Sequence, residues 1–177
     1  MRACMAELAA AQAVFAAVSD RRDAPGCFVQ DSVQITRLAG DRDGFHVSNL
    51  GPLSCPMATG FAGWARYGVD RAARQILGSP VARIETMGSY ACRNVAGTGR
   101  LSAHSRADAV DIGAFVLQDG RRITVKDGWN GSREEREFLR IVHRSACKRF
   151  GTVLGPDYNA AHEDHLHLER GDGTFCR

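Results

Sequence analysis

The stretch HEDHLHLE, residues 162–169, gathers three histidines and three carboxylates in a chain that has only six histidines in all. Imidazole and carboxylate are the side chains that hold divalent zinc and move protons at neutral pH. His165 and His167 are two apart, and HLHLE alternates like a short strand, so both imidazoles project from one face. Such a pair can also be two hydrogen-bonded surface residues, so the spacing needs support from elsewhere. LSAHSRADAVDI, residues 101–112, supplies a histidine and an aspartate, His104 and Asp111. On one flat strand these two would face opposite sides, so the intervening SRAD has to turn. One His and one Asp from this segment and one His from far downstream make three ligands. That set leaves a fourth tetrahedral position open, which suits a catalytic zinc better than a closed structural one. Asp164 is out of step with His167 in a regular strand, yet at the strand's start it could serve as a proton acceptor. It could equally be a turn-forming aspartate.

The elements that would position these groups read as α+β: a small, mostly antiparallel sheet with flanking helices, in one domain spanning residues 1–177. The first twenty-odd residues read as one alanine-rich amphipathic helix, interrupted by Glu7 and Gln12 and therefore neither a signal-peptide core nor a membrane span. If the protein is exported, its leader is absent from this chain. Asp20–Gly26 reads as turn, FVQDSVQITRL as strand, and DRDGF as a hairpin turn before a short strand at His46 and Val47. Pro56 and Gly78 bracket a helix whose Phe61, Trp64, Ala65 and Tyr67 form an apolar stripe. VARIETMGSY, AVDIGAFVL and ITVKD read as strands, with an irregular loop between the first two. Ser132 and Glu135 make a capping box ahead of a helix carrying Phe138, Leu139, Val142 and Ala146 at helical spacing, with Phe150 beyond. His46 and His143 have no partner in the sequence and read as surface or helix-face residues. His162 and Glu163 read as solvated or hydrogen-bonded loop residues.

The net charge of +3 comes from scattered arginines, which argues against a nucleic-acid reader. Six dispersed cysteines without a CxxC pair read as a disulfide framework formed in an oxidising compartment. Several of them could instead be buried thiols. Chain order suggests Cys147 with Cys176, stapling the chain end to the last helix.

SAHSRADAVD together with HEDHLH resembles the SxHxxGxAxD and HxDHxH segments of zinc D-Ala-D-Ala carboxypeptidases and endopeptidases, a group that includes lysostaphin-type enzymes and hedgehog domains. The ordered series LSCPMA, GSYACRN, SAHSRADAVDIGAF, ACKRFGTVLGPDYNAAHEDHLHLE and the terminal FCR is similar to the bacterial extensin-like C-terminal domain family. This resemblance implies a hedgehog/D-Ala-D-Ala peptidase-like fold, with His104, Asp111 and His167 as Zn2+ ligands and Asp164 as general base. It implies that His165 orients the attacking water or stabilises the oxyanion, that Arg93 polarises the scissile carbonyl or grips a carboxylate, and that Ser102 is a supporting donor or substrate contact. Where the relatives have glycine between the ligands this chain has Ala107, and an alanine leads one to expect an ordinary negative φ there.

The implied activity is a zinc-dependent peptidoglycan peptidase, periplasmic or secreted, cleaving an amide next to a D-amino acid as an endopeptidase or a carboxypeptidase. The lack of a clear second cationic clamp favours the endopeptidase. The competing reading is a non-catalytic zinc-containing module for wall binding or signalling. A metallo-β-lactamase-like protein is disfavoured, because its cluster runs HxHxDH.

Overall fold

A computed structural model describes residues 1–177. In chain order its elements are α1 (Arg2–Ala10), β1 (Val14–Val18), β2 (Arg21–Ala24), β3 (Cys27–Val29), β4 (Ser32–Ala39), β5 (Gly44–Ser48), β6 (Leu53–Ser54) and α2 (Cys55–Trp64). There follow two wider helical turns (Ala65–Asp70 and Ala73–Leu77), then β7 (Val81–Gly88), a tight turn (Ala103–Arg106), β8 (Ala109–Leu117), β9 (Arg122–Thr124), α3 (Val125–Gly128) and α4 (Arg133–Cys147). The chain closes with β10 (Thr152–Leu154), a short turn (Ala160–His162), β11 (Leu166–Glu169) and β12 (Phe175–Cys176).

Ten strands form one sheet in the order β1-β4-β5-β7-β8-β11-β10-β12, with β6 added to β4 and β9 to β8. Pairing is antiparallel except for β5 with β7 and β10 with β12. The α+β, mostly antiparallel reading holds, but the sheet is mixed and larger than expected. The extra strands come from segments read otherwise. The first helix stops at Ala10, Gln12 turns with φ 58°, and VFAAV becomes β1 on the edge of β4. β-branched valines and a phenylalanine gain more from a partner strand than an alanine-rich run gains from staying helical. Arg21–Ala24, expected as turn, pairs with β3 across a left-handed Gly26. ITVKD is strand only to Thr124, whose hydroxyl caps the Asp127 N–H and starts α3.

The helices pack on the sheet through large apolar side chains. Met57, Phe61 and Trp64 of α2 and Phe138, Leu139 and Val142 of α4 are fully buried. Phe115 of β8 meets Phe138 edge-on at 5.2 Å, and the Trp64 indole donates to the Val142 carbonyl at 3.1 Å. Each such side chain contributes roughly 1.5–3 kcal/mol of transfer free energy, so β8 is fixed from one face by the core. The capping box at Ser132 and Glu135 forms as the sequence predicts. Tyr67 does not join the stripe. Its ring is half exposed and lies beneath the guanidinium groups of Arg66 and Arg71.

All six cysteines are paired, as Cys4–Cys55, Cys27–Cys92 and Cys147–Cys176. The last is the bond that chain order suggests. No helix is long and apolar enough to cross a membrane.

Candidate metal centre

β8 and β11 bring the distant segments together by register alone, since His167 is the cross-strand partner of Asp111. The His167 Nδ1 lies 2.8 Å from Asp111 Oδ1. His104 reaches the same point from the tight turn before β8, its Nε2 3.2 Å from both His167 Nδ1 and Asp111 Oδ2. The turn between His104 and Asp111 ends on Ala107, which is fully buried and left-handed at φ 56°. This overturns the expectation of an ordinary φ. The N–H groups of Ala107 and Asp108 bond back to the His104 and Ala103 carbonyls. That closure redirects the chain, so two residues seven apart can share a target.

Each imidazole is held by its other nitrogen. His104 Nδ1 lies 3.0 Å from the Ser89 carbonyl, which can only accept, so Nδ1 carries the hydrogen and Nε2 presents its lone pair to the centre. Ser89 is itself buried and fixed by its hydroxyl to the Pro52 carbonyl at 2.8 Å. His167 Nε2 lies 3.3 Å from the Glu169 carboxylate, which leaves Nδ1 to face the centre. Carbonyl and carboxylate partners of this kind fix tautomer and ring direction in metal-binding histidines.

Three acceptor atoms therefore surround one point, all within 4.8 Å of one another. Two lone pairs and a carboxylate at this spacing repel unless a proton or a cation lies between them. Burial disfavours the charged His167, but hydrogen bonds to Asp111 and Glu169 outweigh it and raise the imidazole to about 9. Burial likewise opposes ionisation of Asp111, yet His104 and His167 hold that carboxyl well below the usual range. His167 and Asp111 thus favour their charged forms beside each other. The donor set fits zinc once His167 has released its extra proton: two imidazoles and one carboxylate.

The other site residues predicted from the sequence fall in two groups. His165 lies just before β11, with Nδ1 2.8 Å from Asp164 Oδ1 and Nε2 turned towards Asp111 Oδ1 at 3.7 Å. Asp164 is half exposed and stands behind His165. Ser102 is buried and accepts from the His104 N–H at 3.4 Å, so it supports the ligand turn. Arg93 is exposed on the loop that Cys27–Cys92 fastens, and its charge acts on His162.

His162 is the hydrogen-bonded loop residue the sequence suggests, its Nδ1 2.7 Å from Asn159 Oδ1, but its place beside the other rings is not foreseen. Its ring packs against His165 and His167 at 5.1 and 5.9 Å, and burial, together with repulsion from those two rings, lowers it to about 4. Glu169 was also missed, although its place two residues beyond His167 on one strand face was a usable signal. Ser89 left none. Glu163 behaves as expected, exposed and 3.6 Å from Lys126. His46 is exposed as expected, whereas His143 is buried, because its imidazole bonds the Arg177 carbonyl and packs edge-on against Trp129.

Residues 2–177 match the family model described as extensin-like protein C-terminus. The chain belongs to this family. Comparison of the extensin-like domain with curated proteins and with solved structures finds no significant match.

Proposed function

We propose that this extensin-like domain is a zinc-dependent peptidoglycan peptidase, hydrolysing an amide next to a D-amino acid in cell-wall stem peptides or their cross-links. The observation that carries the reading is the convergence of His104 Nε2, His167 Nδ1 and the Asp111 carboxylate, with the remaining nitrogens of both rings already engaged. These three side chains would hold the ion. When bound, zinc supplies Lewis-acid polarisation of the scissile carbonyl and makes water acidic enough to lose a proton near neutral pH.

The remaining chemistry belongs to the chain. Asp164 is the orienting carboxylate of the pair it forms with His165. It fixes the Nδ1 hydrogen, so Nε2, on the side of Asp111, is free to accept a proton from water and return it to the leaving amine. The proton-accepting role that the resemblance gives Asp164 thus passes to the His165 ring, with Asp164 orienting it and stabilising its charged form. Arg93, whose charge acts on the neutral His162 beside His165, would grip a substrate carboxylate or stabilise the developing oxyanion. The D-amino-acid substrate follows from the likeness of SAHSRADAVD and HEDHLH to D-Ala-D-Ala peptidases. Three disulfides favour an exported, wall-facing protein, periplasmic or secreted.

Asp164→Ala should retain one equivalent of zinc by elemental analysis while losing release of soluble fragments from purified peptidoglycan. A zinc-loaded parent protein that releases no fragments would leave the non-catalytic wall-binding module as the reading.

A further inference from the structure

A shallow cleft of ≈ 280 Å³ lies over the middle of β8, lined among others by Met87, Gly113, Thr124, Lys126 and Asp164. Asp164 belongs also to the proposed hydrolytic pair, so the cleft adjoins that pair on the side of His165 away from Asp111. Asp111 and Gly113 are alternate residues of β8 and share one face, about 7 Å apart along the strand. Two features open the cleft at Gly113. β8 changes partner there, pairing with β11 up to Ile112 and with β9 from Ala114. Glycine also leaves the floor bare, since a Cβ at this position would come within 3.3 Å of the Met87 side chain. Half-exposed Met87 forms an apolar wall, and the β9–α3 corner forms the polar one.

The charges around the cleft are unequally committed. Glu85 is held between Arg83 and Arg122. Asp127 accepts from the Thr124 hydroxyl, and Asp164 accepts from His165. Lys126 has only Glu163, at 3.6 Å, with both side chains 62% exposed. A pair so solvated is weak and exchanges readily for another carboxylate.

We infer that this cleft is the subsite for the substrate chain flanking the scissile amide, and that it selects an extended acidic peptide. The residue over Gly113 is small, and a substrate carboxylate replaces Glu163 on Lys126. The inference rests on the peptidase reading. It is tested with two synthetic stem-type peptides that differ only in one acidic residue, a free carboxylate in the first and a carboxamide in the second. The parent should favour the carboxylate by about threefold in kcat/KM, the size of one solvent-exposed ion pair. Lys126→Met should erase that preference through KM, with zinc content and kcat on the carboxamide unchanged. Gly113→Val should raise KM for both peptides. An active parent that treats the two alike, or a Lys126→Met variant that still favours the carboxylate, overturns the subsite alone. A parent that cleaves neither peptide nor whole peptidoglycan overturns the peptidase reading first.

Discussion

Two places in the molecule bring three ligand-type side chains within 4.8 Å: His104, Asp111 and His167 on the β8–β11 face, and His143, Cys147 and Cys176 between α4 and β12. In the first, two imidazole nitrogens and a carboxylate meet with only the His167 proton between them, and each ring is anchored by its far nitrogen. In the second, both sulfurs are spent on each other and the imidazole donates to the Arg177 carbonyl. Burial holds His143 below the usual histidine range, whereas the carboxylates around His167 lift it above. Closeness alone therefore does not make a metal site. What separates the two clusters is whether lone pairs are left over once the local hydrogen bonds and covalent bonds are formed.

The sharpest way to break this comparison is to exchange losses between the clusters. His167→Ala should reduce bound zinc from about one equivalent to background, while His143→Ala should leave it in place, as read by elemental analysis. Zinc that follows His143 instead would reverse the assignment. Next in size, the double replacement Cys147→Ser with Cys176→Ser opens a loop of 29 residues in sequence separation. It should cost about 3–4 kcal/mol in chemical denaturation while zinc content stays at parent level. Glu169→Gln probes the anchoring nitrogen, and competition against a chelator should show zinc affinity weakened by about 10–100-fold.

The pH dependence of the metal-free protein is a smaller effect. His167 is raised from 6.5 to about 9 on folding, so the folded state binds the extra proton more tightly. The stability this supplies is complete below pH 6.5 and fades as pH rises through about 9. Melting of the chelator-treated protein should therefore move down by a few degrees over that interval. With zinc bound there is no such proton to lose, and the slope should flatten. An equal slope in both forms would remove the electrostatic argument for the centre.

The elements that the sequence made legible are those decided locally. Ser132 and Glu135 announce α4 through groups three residues apart, and AVDIGAFVL has the apolar run of a strand buried on both faces. VFAAV was misread because its neighbours are helix-forming alanines, and only pairing with β4 decides its state. The three candidate ligands were legible as residue types with spacing and family likeness. The cross-strand pairing that unites His167 with Asp111 was not, since it depends on the register of strands far apart in the chain. The packing of His162 against His165 and His167 was illegible for the same reason. Nothing beside it in the sequence indicates that its loop folds back over the other rings.

Ala107 holds the turn between His104 and Asp111 in a left-handed backbone that an L side chain adopts at a cost of roughly 1–2 kcal/mol. The protein thus tolerates tension at the hinge of its centre, held by the surrounding sheet. Relieving it with Ala107→Gly should raise the melting temperature slightly and leave the ion's partners where they are. A methyl group with no chemistry of its own thereby becomes a gauge of how firmly the scaffold, rather than the local chain, dictates where the two ligands point.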